Sequence, residues 1–205
     1  MRYNKDKKEI IIDKEPSNLD KFALDFLKIL EKYVSYVIVA GYVSILLGRT
    51  RVTEDIDVFI KKMSREEFSK LYIELRKNNF WCLNAEKAEE IFLYLQDGFG
   101  VRFSKENSPI PNFEVKFPKD SLDEEVFNDN IKVILTEGNI IISSLERHIA
   151  FKEEFLGSNK DKEDAKHIKE LFKEYLNKEK INKIKMLIKN RKNERKKKIH
   201  EAWKN

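Results

Sequence analysis

The sequence predicts a mixed α/β fold: a small mixed β-sheet with flanking helices, followed by a C-terminal helical extension. Three observations lead there. Residues 36–60, YVIVAGYVSILLGRTRVTEDIDVFI, read as a buried strand, a glycine turn, a helix and a second strand. Downstream, short strands of period 2 alternate with helices opened by Ser-x-x-Glu boxes. From residue 143 onward the pattern is helical, which divides the chain into a core of residues 1–142 and a helical region of residues 143–205 that ends in a basic tail.

The central stretch carries the chemistry. Thr53, Asp55, Asp57 and Phe59 share one face of the second strand, while Glu54, Ile56, Val58 and Ile60 share the other. If the apolar face packs on a core, both aspartates project from the opposite side. Their Cβ atoms then stand about 7 Å apart, where two carboxylates repel by about 2 kcal/mol at an effective dielectric near 20. A divalent cation relieves that repulsion, because Mg²⁺ takes one or two protein carboxylates and completes its octahedron with water and phosphate. Upstream, Gly41 allows a tight turn and the helix from Tyr42 to Leu47 presents N–H groups to an anion. Arg49, Arg51 and Thr53 lie between that helix and the acid strand. Each arginine by itself reads as a surface charge or an ion pair with Glu54, but two beside a phosphate site give at least one an anion role.

The remaining elements follow in order. Residues 8–12 form a short edge strand, and Ser17 caps a helix over residues 18–32 with Phe22, Phe26, Ile29 and Leu30 inward. Ser64 and Glu67 make a capping box for a helix over residues 65–77, with Phe68, Leu71, Tyr72 and Leu75 buried. A strand at 80–83 is followed by a helix capped by Asn84, running through Leu95 and stopped by Asp97-Gly98. Residues 100–105 form another strand and 107–111 a loop. In the next strand Phe113, Val115 and Phe117 alternate with Asn112, Glu114 and Lys116, so Glu114 projects from a strand whose other face is buried. The ordinary alternative is a Glu114 paired with Lys116 or with solvent. Residues 121–128 read as a helix, and strands 131–135 and 140–142 form a hairpin around Glu137-Gly138-Asn139. Ser143 and Glu146 make a second capping box, opening a helix through Leu156 that Gly157 closes. Ile184, Leu187, Ile188, Ile199 and Trp203 give the last helix a thin apolar stripe, which would dock on the body or on a second copy as a homodimer.

Ala40-Gly41-Tyr42, followed after twelve residues by Asp55-Ile56-Asp57, resembles the signature of polymerase-beta-type nucleotidyltransferases. Residues 48–57, GRTRVTEDID, are similar to the corresponding stretch of AbiEii-type and related small prokaryotic nucleotidyltransferases of toxin-antitoxin systems. The departure is Tyr42, where Gly or Ser is usual. The resemblance implies a sheet of the polymerase-beta type and transfer of a nucleotide from an NTP such as ATP to an acceptor hydroxyl, plausibly a tRNA end. It implies Asp55, Asp57 and Glu114 as catalytic residues holding two Mg²⁺ ions, and a cognate toxin or antitoxin as partner. Gly41, Tyr42, Ser44, Arg49, Arg51, Thr53 and Lys152 become the expected nucleotide contacts. Lys152, Lys160, Asp161 and Asp164 match the family's helical region, although early acids such as Asp161 and Asp164 are equally explained by a helix N-terminus. Two other readings stay open: a non-catalytic nucleotide- or RNA-binding regulatory partner of the same fold, motivated by the bulk of Tyr42, and a transferase that moves AMP to a protein.

Composition narrows the rest. The chain has 205 residues, 41% of them hydrophobic, enough for one sizeable core. One cysteine excludes an internal disulfide, and the charged N-terminus lacks a signal core, which points to the cytoplasm. The uncharged run of residues 33–48 is shorter than a membrane span and broken by Gly41, so no membrane partner is expected. His148, His167 and His200 are too scattered for zinc, Cys82 reads as inert core, and neither P-loop nor Rossmann glycines occur. Residues 177–205 hold twelve Lys or Arg against three Glu, a net of +9 in a chain of net +5, so the preceding 176 residues carry −4. A basic tail on an acidic body suits a polyanion such as RNA.

Overall fold

Alternating apolar residues assemble nine strands into one mixed sheet. They are β1 (Arg2–Asn4), β2 (Glu9–Ile11), β3 (Tyr36–Val39), β4 (Asp55–Ile60), β5 (Phe80–Cys82), β6 (Val101–Lys105), β7 (Ser108–Lys116), β8 (Asn130–Leu135) and β9 (Gly138–Ser143). Their order in space is β1-β2-β8-β9-β3-β4-β7-β6-β5. The sheet is larger than the small one expected, because the N-terminus supplies a two-stranded hairpin and the supposed loop at 107–111 is mostly the first half of β7. The structure is a computed structural model that describes residues 1–202, with the side chains of all of these but 198–200 and 202. Trp203 and the side chains of Ile199 and His200 therefore lie outside the described residues.

The chain divides into two compact units, Met1–Ser144 and Leu145–Asn205. The first holds the sheet with helices α1 (Asn18–Leu30), α2 (Gly41–Leu46), α3 (Arg65–Lys77), α4 (Ala88–Gln96) and α5 (Ser121–Glu124). Its core lies on one face of the sheet. Phe26 of α1 stacks on Phe113 of β7 at 4.1 Å between ring centroids and meets Phe80 of β5 edge-on. Phe92 of α4 bridges Phe68 of α3 and Phe117 just beyond β7. Such aromatic pairs add about 0.5–1.5 kcal/mol each beyond their buried area. Because period 2 puts Phe113 and Val115 under these helices, Glu114 and Lys116 must project from the opposite face.

Capping boxes at Ser17/Asp20 and Ser64/Glu67 begin α1 and α3. Three local expectations are corrected. Asn84 does not cap α4, which starts at Ala88; its Oδ1 instead accepts the Arg102 amide at 2.6 Å. The β8–β9 turn is Thr136-Glu137, since Leu135 pairs with Gly138, and Gly138 is small because a Cβ there would stand 3.0 Å from Leu24. The box at Ser143/Glu146 is absent: Ser143 ends β9, and the Glu146 carboxylate accepts the Asn177 amide at 3.0 Å.

The second unit contains α6 (Leu145–Ala150), a π-helical segment (Phe151–Leu156), α7 (Asn159–Leu171) and α8 (Lys178–Ala202). Gly157 closes the π-helical segment at φ +72°, and a capping box of Ser158 with Asp161 opens α7. Ile181, Ile184 and Ile188 bury the inner stripe of α8, whereas Leu187 is exposed. Along that stripe Glu153 binds Lys169 and Lys185 at 2.5 and 2.6 Å, which together outweigh its burial and hold its carboxyl below the usual range. The exposed face keeps Lys183, Lys189, Arg195, Lys196 and Lys197. Among the described residues no helix is long and apolar enough to cross a membrane. Residues 33–48 instead supply β3, a turn and α2.

Candidate active site

The acid strand β4 lies between β3, antiparallel, and β7, parallel, and this pairing builds the site. Asp57 sits directly opposite Glu114, and Asp55 opposite Asn112. The β4 pattern alternates half-buried and buried, with Ile56, Val58 and Ile60 in the core and Asp55, Asp57 and Phe59 on the more open face. Thr53 Oγ1 donates to Asp55 Oδ1 at 3.1 Å and so orients the first acid. Asp57 and Glu114 thus face each other across neighbouring strands.

Lys116, two residues along the same face of β7, lies on both acids. Its Nζ stands 2.9 Å from Asp57 Oδ1 and 2.5 Å from Glu114 Oε2. Arg102 of β6, in register with Glu114, adds a guanidinium nitrogen 3.6 Å from Glu114 Oε1. The Glu114–Lys116 pairing that the sequence offers as the ordinary alternative is thus present, but within a site that also includes Asp57. Burial pushes the Asp57 carboxyl upward against the pull of Lys116, with neighbouring Glu114 adding to the rise. For Glu114 burial works in the same upward sense, yet Lys116, Asp57 and Arg102 together hold its carboxyl below the usual range. Of the pair, Asp57 holds a proton more readily.

Gly100 makes room for this cluster. A Cβ at that position would stand 2.9 Å from Glu114 Cγ and equally close to Lys116 Cε. Gly100→Ala is therefore expected to displace both side chains, at a fold cost of about 1–3 kcal/mol. A thermal melt against wild type checks that cost.

The turn before α2 follows directly on Val39, the β3 partner of Asp57. Ala40, its N-cap, is held at φ +58°, a conformation that costs a non-glycine residue about 1–3 kcal/mol and is characteristic of functional turns. No side chain caps the helix. Arg51 lies over Gly41, where a Cβ would stand 2.5 Å from its Nη2, and its Nη1 donates to the Val52 carbonyl at 3.2 Å. Gly41 and Arg51 are thereby brought together.

Three other expected contacts are buried. Ser44 is fully buried. Tyr42 is also fully buried, and its hydroxyl donates to Asp20 Oδ1 at 2.7 Å, so the ring narrows no pocket but pins the start of α2 to α1. Burial, reinforced by Asp20, pushes its hydroxyl far up and keeps it protonated. Tyr42→Phe should cost about 1.5–3 kcal/mol, the range for a hydrogen bond to a charged group, measured by denaturant unfolding. Lys152 belongs to the second unit, buried at 2% exposure between Asp161 at 2.7 Å and Asp164 at 2.9 Å. Burial also pushes the Cys82 thiol up, as befits inert core.

Compared as a sequence, the chain matches no protein-family model and no curated protein. Solved structures do resemble it. The antibiotic-resistance factor ANT(2'')-Ia aligns over 88% of this chain and 96% of its own, with a TM-score of 0.55 and 13% identity. An antigenic nucleotidyltransferase-like protein from Paracoccidioides brasiliensis aligns over 84% and 88%, with a TM-score of 0.50 and 16% identity. The fold is nucleotidyltransferase-like.

Within this nucleotidyltransferase-like fold the residues can be tested against magnesium. Among the described residues no three His, Cys, Asp or Glu side chains converge as a metal-binding group. Two carboxylates, Asp57 and Glu114, do converge on one cation, the Lys116 ammonium. All-oxygen donors and a pair of carboxylates fit Mg²⁺, which takes few protein ligands and draws the rest from water and phosphate. They do not form a preassembled three-carboxylate cage.

The structure brings together residues named from the sequence, Asp57 with Glu114 and Gly41 with Arg51, and adds Gly100 and Arg102, which the sequence did not single out. The only signal for Arg102 was its position in the strand that hairpins onto β7, and that register is not written locally.

Proposed function

We propose that the protein is a magnesium-dependent nucleotidyltransferase that moves a nucleotide from an NTP to an acceptor hydroxyl. The observation that carries this is the cross-strand pair Asp57–Glu114 beside Asp55, on the open face of the sheet in a nucleotidyltransferase-like fold. Asp57 and Asp55 would hold the ion, which neutralises charge on the phosphates when bound. Glu114 would complete the ion's shell or receive the proton of the attacking hydroxyl. Attack forms a bond from the acceptor oxygen to the α-phosphorus, the α–β bridge breaks and pyrophosphate leaves. Arg51, held at Gly41, would meet the phosphates, and positioning with charge compensation would supply most of the rate.

RNA is the acceptor favoured by the exposed lysines and arginines of α8, with a tRNA end and a toxin-antitoxin setting as the finer form of the proposal. The test incubates the purified chain with Mg²⁺, α-labelled NTPs, total RNA and total protein. Label removed by ribonuclease supports an RNA acceptor, and label removed only by protease makes the protein an AMP-transferase of the same mechanism. No label in any fraction would overturn the proposal.

One observation favours a second reading, a nucleotide- or RNA-binding regulator without chemistry: Lys116 already neutralises the two acids. Calorimetry of NTP binding separates the two, since the regulator binds without regard to Mg²⁺ and the enzyme requires it.

A further inference from the structure

We infer that Lys116 is a built-in counter-ion that closes the acidic pair to free divalent cations, so that metal enters only together with the phosphates of the nucleotide. The inference deepens the nucleotidyl-transfer reading and rests on it. Lys116 Nζ takes one oxygen from each acid, at 2.9 Å from Asp57 and 2.5 Å from Glu114. A magnesium ion at about 2.0–2.1 Å from the remaining oxygens of the same carboxylates would stand close to the ammonium and be repelled by it. Ion and ammonium therefore compete for the pair.

The ammonium is held by packing as well as by charge. Its stem lies against the bare backbone of Gly100, so close that a Cβ there would stand 2.9 Å from Lys116 Cε. Arg102, 3.6 Å from Glu114 Oε1, adds a second positive group on the far side of that acid and further disfavours a lone metal ion. A triphosphate reverses the balance. Its negative charge offers the ammonium a new partner and gives the metal further oxygen ligands, since among the described residues no three carboxylates converge as a ready metal site. Lys116 is therefore a positioning residue: it sets when the metal binds and then turns to the phosphates.

The probe is Mn²⁺, titrated into the full chain and followed by water-proton relaxation, which distinguishes protein-bound manganese–nucleotide from the same complex free in solution. Wild type is expected to bind Mn²⁺ weakly by itself, and at least about tenfold more tightly when an α,β-methylene NTP analogue is present. Lys116→Met should bind Mn²⁺ without nucleotide about tenfold more tightly than wild type, while Lys116→Arg, which keeps the cation, should behave as wild type. The wild-type arms stand even if the methionine variant does not fold. Wild type that binds Mn²⁺ equally well with and without the analogue overturns the inference alone, as does a folded Lys116→Met no tighter than wild type. Failure of wild type to bind manganese in either condition overturns the inference and the nucleotidyl-transfer reading together.

Discussion

Asp57→Asn is expected to lower transfer about a thousandfold while leaving the fold intact. Asn is isosteric, so the core residues Ile56 and Val58 on the other face of β4 are undisturbed. It keeps one oxygen but loses the charge that, in the proposed mechanism, would hold a cation on the substrate phosphates, where charge neutralisation is worth several kcal/mol in the transition state. Stability should rise slightly or hold, because burial already raises the Asp57 carboxyl and disfavours its charged form. A rate measured against wild type at saturating Mg²⁺, with a thermal melt as control, checks this. An unchanged rate would remove Asp57 from the chemistry.

The second large effect is on stability. Lys152→Met should destabilise the C-terminal unit by about 3–5 kcal/mol, because it strands Asp161 and Asp164, exposed by only 6% and 0%, without their shared ammonium. Amide exchange across α7 is the readout, where that loss appears as a hundredfold or greater drop in protection, each factor of ten being about 1.4 kcal/mol. If Lys152 instead contacts a triphosphate, the variant keeps its protection and loses NTP affinity. The same triad predicts an acid response. Burial acts to raise the Asp161 carboxyl, but Lys152 and Ser158 outweigh it and hold it below its ordinary 3.8. A depressed carboxyl contributes stability that is complete above the ordinary value and is lost as pH falls through the depressed one. Protection of α7 should therefore persist at neutral pH and decline only below about pH 4.

Much of this fold is legible because its determinants are local. Period 2 alone puts Asp55 and Asp57 on one face of β4, and the Ser64/Glu67 box marks the start of α3. The facing of Glu114 is equally local, whereas its pairing with Asp57 depends on β4 and β7 becoming neighbours across more than fifty residues. Lys116 is visible two positions after Glu114 as a partner for that acid, but its hold on Asp57 is again a matter of register. Tyr42 shows the opposite failure. Read as a neighbour of phosphate, it suggested a blocked cradle; its side chain points into the core, because α2 turns that position toward Asp20 on α1. Gly138 misled in the same way, since a glycine in a hairpin suggests a turn and here serves helix packing.

The central claim is that the Asp57–Glu114 pair serves attack at the α-phosphorus. Paired incubations with α-labelled and γ-labelled NTP, Mg²⁺ and total cellular RNA and protein test it most directly. The account predicts that α-label becomes bound to a macromolecule while γ-label is released in equal amount as pyrophosphate, and that Asp57→Asn loses both. Transfer of γ-label to the acceptor, release of orthophosphate, or equal labelling by the Asp57→Asn protein would contradict it.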